Sequence, residues 1–268
     1  MPHHDTSLDD LAATYDHIYL SPHLDDAALS CGGSIARFVA SGQPVLVVTI
    51  CAGSLPVGHE FSAFAQQLHR QWELPPAESV RLRIHEDMAA LETLGADCYL
   101  LDGLDAIYRM PDAYVDDATL FGPIAPGDPL SDVLRRQISA LAARYPTAIF
   151  YAPLGVGQHV DHQVTHNVAA EYAHGELSIA FYEDFPYVAV AGALERRLAQ
   201  IGGAEIFVPS VTDIDVTLAR KISAVESYHS QIKTLFGDRE TMATSITAYA
   251  EGLRPESGTY GERIWMKQ

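Results

Sequence analysis

The sequence predicts an α/β fold: a mostly parallel sheet with helices on both faces and a helical C-terminal portion. Three observations predict it. Short apolar runs rich in β-branched residues alternate with amphipathic stretches along most of the chain. The run at 44–50, Pro-Val-Leu-Val-Val-Thr-Ile, lacks the polar alternation of a half-exposed strand and reads as a parallel strand covered on both faces. Two strand-to-helix junctions, near residues 21–26 and 152–162, collect imidazoles and carboxylates. That puts polar chemistry at the carboxyl ends of strands, where open α/β sheets bind ligands. With 268 residues, 48% of them hydrophobic, and no linker or internal repeat, the chain is expected to form one domain over 1–268.

In chain order, residues 1–14 are polar and expected to be loose, the His3-His4 pair included. Residues 18–21 read as a strand and 27–40 as a helix ending at Gly42. The strand at 44–50 leads into Cys51-Ala52-Gly53-Ser54-Leu55-Pro56, a turn out of the sheet. Between 57 and 77, Phe61, Phe64, Leu68 and Trp72 recur at roughly helical spacing until Pro75-Pro76 stops the segment. Residues 78–94 form a helix with Val80, Ile84, Met88, Leu91 and Leu94 as its stripe and Gly95 as its cap. A strand follows at 98–101.

From 102 to 129 the pattern breaks down into Asp, Pro, Gly and Tyr, and a connection this long in a compact domain is usually functional or mobile. It is read as a substrate-side lid or wall; an ordered surface excursion is the plainer alternative. Then come a helix at 131–145, a strand at 148–151, a helix ending at 173 and a strand at 177–182. A helix at 192–202, a short edge strand at 205–208, long helices at 215–235 and 240–253, and a mixed tail complete the chain.

Formal charge is 17 − 35 = −18, and a surface this acidic repels nucleic-acid phosphate and anionic membranes. The expected partner is a small molecule, and nothing in the sequence signals an oligomeric state. Cys31, Cys51 and Cys98 are odd in number, widely spaced and without a CxxC, so they read as reduced thiols of a cytoplasmic protein. No apolar run reaches membrane-spanning length, and the start lacks a signal-peptide pattern.

The chemistry lies at the two junctions. The first offers His23, Asp25 and Asp26; the second offers His159, Asp161 and His162, with His166 one helical turn later. Three imidazole or carboxylate ligands with an open fourth position are the mark of a catalytic zinc site. Such an ion lowers the pKa of its water to about 7, and a carboxylate beside it can take the proton. Neighbouring residues rarely both reach one ion, so Asp25 and Asp26 should divide into one ligand and one base. Spacing alone does not say which is which, nor which imidazole of the second cluster binds.

His23-Leu24-Asp25-Asp26, followed by Ala-Ala-Leu-Ser-Cys-Gly-Gly, together with the distal Gly157-Gln158-His159-Val160-Asp161-His162, resembles the PIG-L/LmbE family of zinc-dependent N-acetylglucosaminyl deacetylases. The resemblance implies a Rossmann-like fold over about residues 16–235, with Leu24 where the family usually has proline. It implies His23, Asp26 and His162 as zinc ligands, Asp25 as general base, and His159 as the group assisting the oxyanion and leaving amine. Asp161 would orient an imidazole from outside the ligand set. Residues 221–231, with Tyr228-His229-Ser230-Gln231, resemble the family's C-terminal helix, and Glu183-Asp184-Phe185-Pro186-Tyr187 resembles a pocket wall in members acting on glycosylated natural products. The implied activity is removal of an N-acyl group, acetyl foremost, from an amino sugar or a glycosylated small molecule.

Plainer readings stand beside these. Asp25 or Asp26 can be a helix cap. His166 shares a helix face with His162 but reads as core or as a neighbour of the ligands. Of the scattered His17, His59, His69, His85, His174 and His229, only His229 is given some chance of reaching the crevice. Arg83 and Glu86 read as an intrahelical pair. Tyr108, Tyr114 and Phe121 either stack on substrate or anchor their loop. Gly32-Gly33 is no dinucleotide fingerprint, because GxGxxG is missing. Rival functions are a metal-dependent hydratase on the same fold and a ligand-binding module without turnover.

Overall fold

A computed structural model describes residues 4–5, 7–55, 58–73, 76–173, 175 and 177–267. His3, Pro56, Pro75 and His174, singled out above, lie outside them. The strands are β1 (His4–Asp5), β2 (His17–Ser21), β3 (Val45–Thr49), β4 (Asp97–Leu100), β5 (Ile149–Pro153), β6 (Ser178–Tyr182), β7 (Phe207–Asp213) and β8 (Gly261–Lys267). They form one sheet in the order β1-β4-β3-β2-β5-β6-β8-β7. All pairs from β1 to β6 are parallel, whereas β8 runs antiparallel to both its neighbours. Strand order reverses between β2 and β5. Loops leaving those strands diverge and open a crevice at their carboxyl ends.

The helices are α1 (Asp26–Ala40), α2 (Ala63–Trp72), α3 (Pro76–Leu94), α4 (Ala106–Arg109), α5 (Asp117–Leu120), α6 (Leu130–Arg144), α7 (Val160–Tyr172), α8 (Ala193–Gln200), α9 (Leu218–Val225), α10 (His229–Phe236) and α11 (Arg239–Gly252). α1, α3 and α9 pack together on one face and α6 and α7 on the other, as right-handed crossovers in both directions from β2 require. β2 and β3 are buried along their whole length. No helix among the described residues is long and apolar enough to cross a membrane.

Gly32 and Gly33 let α9 and the turn before it close on α1. A Cβ on Gly33 would lie 2.8 Å from Ile214 Cδ1, and one on Gly32 would lie 3.1 Å from Lys221 Cγ. Ile214 is fully buried and has nowhere to retreat. Ala gains about 1 kcal/mol over Gly in helix propensity, but overpacking a closed core costs about 1–3 kcal/mol. Gly33→Ala is therefore expected to lower the thermal midpoint by a few degrees in a calorimetric scan; an unchanged midpoint would mean that α9 yields freely.

Three elements differ from the sequence reading. The helix expected over 215–235 is split into α9 and α10. The chain breaks there because Tyr228, 2% exposed, turns inward and donates its hydroxyl to Asp87 at 2.6 Å. Glu86 then accepts both the Ser230 N–H (2.9 Å) and its hydroxyl (2.5 Å), capping α10 from another helix. The tail carries β8, so the C-terminal portion is not all helical. Glu262 on β8 accepts the backbone N–H of Gly33 and Ser34 at 2.9 and 2.7 Å and pairs with the buried Lys221 at 2.7 Å. Residues 8–14, expected to be loose, include a single 3-10 turn at Leu8–Asp10 capped by Ser7, and Leu11 beyond it is buried.

The excursion at 102–129 holds α4 and α5 over a small core of its own, in which Tyr108 and Tyr114 pack with Phe64, Ile107, Leu120 and Val160. Arg109 grips Asp128 with two hydrogen bonds, at 2.7 and 2.8 Å. The two tyrosines are thus anchors, and Phe121 alone of the three aromatic residues reaches the pocket.

Candidate functional site

The turn from β2 into α1 is built by its own polar groups. The Ser21 hydroxyl donates to the His23 carbonyl at 2.8 Å and accepts the Ala27 N–H at 3.1 Å. Asp26 Oδ2 accepts the His23 N–H at 2.8 Å. Asp25 sits at φ 148°, ψ −29°, in a region natural to glycine, and such a residue stores about 1–3 kcal/mol of strain. The strain has a visible result: Asp26 turns back toward His23, while Asp25 turns to Arg83, 3.4 Å away.

The turn from β5 into α7 uses positive φ at Gly155, Gly157 and Gln158. A Cβ on Gly157 would lie 2.6 Å from the Tyr187 ring, so no larger residue fits there. His159 caps α7, its Nδ1 accepting the Asp161 N–H at 3.2 Å. His162 follows on the first helical turn.

The six residues singled out from the sequence come together at one place, none more than 9% exposed; His23, Asp25, Asp26 and His159 line the crevice, and Asp161 and His162 lie buried behind them. Three of their atoms form a nearly equilateral triangle. His23 Nδ1 to Asp26 Oδ2, His162 Nε2 to Asp26 Oδ2 and His162 Nε2 to His23 Nδ1 are each 3.3 Å. Ligands about 2.0–2.1 Å from a tetrahedral divalent ion stand about 3.3–3.4 Å apart. The far ring nitrogens are held as well: His23 Nε2 lies 3.1 Å from Asp161 Oδ2, and His162 Nδ1 lies 2.7 Å from Asp184 Oδ1. Each far nitrogen donates to a carboxylate, which leaves a bare lone pair on the near one. Three electron-pair donors then converge on one point, and these residues could hold a metal ion. His159 offers a further ring nitrogen within 4.8 Å of both imidazoles.

Electrostatics agree with the geometry. Burial works against charging His162, but Asp26 and Asp184 push its pKa up to about 9, and Asp161 and Asp26 likewise raise His23. Without a cation, protons take up the carboxylates' negative charge. Burial pushes Asp25 up to about 7 against the pull of Arg83, with Asp26 adding to the rise. Burial and the neighbouring His23 keep His159 neutral.

A pocket of about 250 Å³ opens in front of His23, Asp25, Asp26 and His159. Phe121 meets His159 edge-on at 5.3 Å between ring centres, and Tyr187 stands 6.0 Å from His162. The excursion is bonded into the site: Arg109 donates to Asp161 Oδ1 at 2.6 Å, and Asp161 Oδ2 accepts the Ala106 N–H at 3.1 Å.

Sequence reasoning missed several groups here. Asp184 was seen only as part of a pocket wall, yet its second oxygen also accepts the N–H of Gly155 and Val156, each at 2.8 Å. Its place at the end of β6, the next strand along, was the available signal. Asp105 Oδ2 lies 3.7 Å from His23 Nε2. Arg83 and Glu86 are not a pair: Arg83 faces Asp25 and Glu86 faces Ser230. His166 bonds to the Pro153 carbonyl at 3.1 Å in the core, where burial pushes it down to about 3, and His229 is exposed, away from the pocket. His17 stacks on Phe38 with ring centres 3.8 Å apart.

Such a His/Asp cluster at the switch point of an open α/β sheet, with the Asp25 carboxylate beside it, has the donor set that a metal-dependent hydrolase needs. Residues 18–173 match the PIG-L family, described as GlcNAc-PI de-N-acetylase, and the chain belongs to that family of metal-dependent deacetylases. It is 27% identical to a 2'-N-acetylparomamine deacetylase of Niallia circulans over 241 residues, 82% of each chain. It is 28% identical to the enzyme of that name from Streptomyces fradiae over 265 residues, 92% of this chain and 88% of that one. Its structure resembles the zinc-inhibited form of teicoplanin deacetylase Orf2 with a TM-score of 0.77 and 29% identity, covering 92% of this chain and 96% of that one. The chain is thus an amide hydrolase of the deacetylase kind.

Proposed function

We propose that His23, Asp26 and His162 hold a zinc ion, that Asp25 is the general base, and that the substrate is an N-acetylated amino sugar within a glycosylated natural product. The observation that carries this reading is the 3.3 Å triangle of donor atoms, with Asp25 turned away from it although adjacent in sequence. Zinc bound there would supply a water of pKa about 7 and polarise the acyl carbonyl.

The chain's own residues do the rest. Asp25 takes the proton of the attacking water as the new carbon–oxygen bond forms. His159, neutral, donates its Nε2–H to the carbonyl oxygen as that oxygen gains charge. As the carbon–nitrogen bond breaks, the proton held by Asp25 passes to the amine nitrogen; the proton left on the new carboxyl group is then taken up by the amine, and acetate and the protonated amine depart. Asp161 and Asp184 hold the rings of His23 and His162 in one tautomer, and Arg109 fixes Asp161.

The test is amine release from a panel of N-acetyl sugars and acylated glycosides, before and after chelation, with zinc returned up to one equivalent. Amine and acetate are expected in equal amounts, lost on chelation and restored by zinc. Water addition without amine release would favour the hydratase; tight binding without turnover would favour the binding module.

A further inference from the structure

Four rings stand in a closed circuit beside the donor triangle. The ring centres of His159 and His162, His162 and Tyr187, Tyr187 and Phe121, and Phe121 and His159 lie 5.6, 6.0, 6.2 and 5.3 Å apart. His162 turns to the triangle, His159 is assigned to the acyl oxygen above, and Phe121 has no polar atom to offer. Tyr187 is left with a hydroxyl that no step uses.

That side chain is fixed at its base and free at its tip. The base rests on the backbone of Gly157, where a Cβ would lie 2.6 Å from Tyr187 Cγ and 2.8 Å from its Cβ. Its backbone belongs to the turn that also carries Asp184: the Val188 N–H donates to the Asp184 carbonyl at 2.9 Å, and the Val190 N–H to the Tyr187 carbonyl at 3.1 Å. One segment thus places both the ring and the carboxylate that holds His162. The hydroxyl makes no hydrogen bond to any described residue, whereas Tyr182, Tyr228 and Tyr249 donate theirs to the Leu20 carbonyl, Asp87 and Glu183. Tyr187 is half-buried and lines the pocket with Asp25, Asp26 and His159. Burial raises its pKa well above the ordinary value, and Asp26 and Asp25 add to the rise ahead of Asp184 and Asp105. The hydroxyl therefore lies toward the carboxylates of the site and remains a donor through neutral pH and above.

We propose that the Tyr187 hydroxyl is a further catalytic group, donating a hydrogen bond to the acyl oxygen as charge builds there. The proposal rests on the deacetylase reading above and adds a residue to it. Tyr187 keeps its proton throughout, so the proton path through Asp25 is unchanged. Two neutral donors, the His159 N–H and the Tyr187 O–H, then meet one oxygen. The rings around them leave little room for water, and a fixed donor in such surroundings stabilises developing charge better than it would in bulk solvent.

Tyr187→Phe tests this, because Phe keeps the ring on Gly157 and removes only the donor. In the zinc-loaded enzyme, kcat for an N-acetyl glycoside is expected to fall about 10²-fold, the low end for one oxyanion donor because His159 remains. KM, zinc content and the thermal midpoint are expected to stay as they are, the pattern of an interaction made only in the transition state. Calorimetry gives a second reading that needs no turnover. The ligands are the methyl glycoside of N-acetylglucosamine and its analogue with methylphosphonyl in place of acetyl, whose tetrahedral phosphorus and anionic oxygens mimic the state after attack. The variant is expected to bind the N-acetyl glycoside as the native chain does and the analogue about tenfold or more weakly. A raised KM with unchanged kcat, or equal weakening of both ligands, would overturn the proposal by making Tyr187 a contact to the resting substrate. Native-like kcat and analogue binding would overturn it as well. Selective loss of analogue binding, with no amine released by the native chain under any condition, would count against the deacetylase reading and uphold the Tyr187 donor.

Discussion

Asp25→Asn is expected to bind zinc as tightly as the native chain and to lose about 10²–10⁴-fold in kcat, the range for removing a general base. The triangle of donor atoms proposed to hold the metal does not include Asp25, so metal content should be unchanged by atomic absorption. Asn is nearly isosteric and tolerates unusual backbone angles better than most residues, so the φ of 148° should survive. Native-like turnover by this variant would move the base elsewhere, with His159 the next group to test.

The same substitution carries a stability signature whose sign can be worked out. Burial raises Asp25 from its ordinary value to about 7 in the metal-free protein. An acid whose pKa is raised by folding opposes the fold when ionised; the cost is absent below about pH 4, grows up to about pH 7, and is constant above, at about 1.4 kcal/mol per unit. Metal-free Asp25→Asn is therefore expected to be more stable than the native chain at pH 8 by a few kcal/mol, with the gap closing by pH 4. Urea unfolding at the two pH values measures it. In the role proposed for it, Asp25 would be a destabilised group retained for catalysis.

His162→Ala is expected to abolish zinc binding, since two donors 3.3 Å apart remain where three stood. Asp184→Asn should do less, but for an informative reason. Its amide nitrogen would face His162 Nδ1, now held at 2.7 Å by a carboxylate oxygen, and would favour the tautomer that places a proton on the metal-facing nitrogen. Loss of such a partner costs about 10–100-fold in metal affinity. Competition against a zinc chelator separates the two variants. Equal affinity for native and Asp184→Asn would show that His162 needs no orienting.

What the sequence made legible was local. His23, Asp25 and Asp26 follow one buried strand and His159, Asp161 and His162 another, so both clusters can be placed at strand ends from pattern alone. The partners that give those groups their character come from far along the chain. Asp184 meets His162 across 22 positions and Arg109 meets Asp161 across 52. No local pattern marks the break between α9 and α10 either: it carries no Gly or Pro and is set by Tyr228 bonding to Asp87, 141 positions away. β8 was missed because its residues, Gly-Glu-Arg-Ile-Trp-Met-Lys, do not alternate cleanly; Glu262 points into the α1 side and is satisfied there.

Arg109 joins Asp128 to Asp161, and Asp161 in turn holds His23. Exchanging residues 102–129 for the matching stretch of a relative, as a way to alter selectivity, would therefore not be a modular swap. A graft lacking this guanidinium would leave Asp161 with an unbalanced buried charge and His23 without a fixed orientation. The hybrid would then lose its cation before its new selectivity could be read, so any such chimera has to carry the Arg109–Asp128 pair along with the transplanted segment.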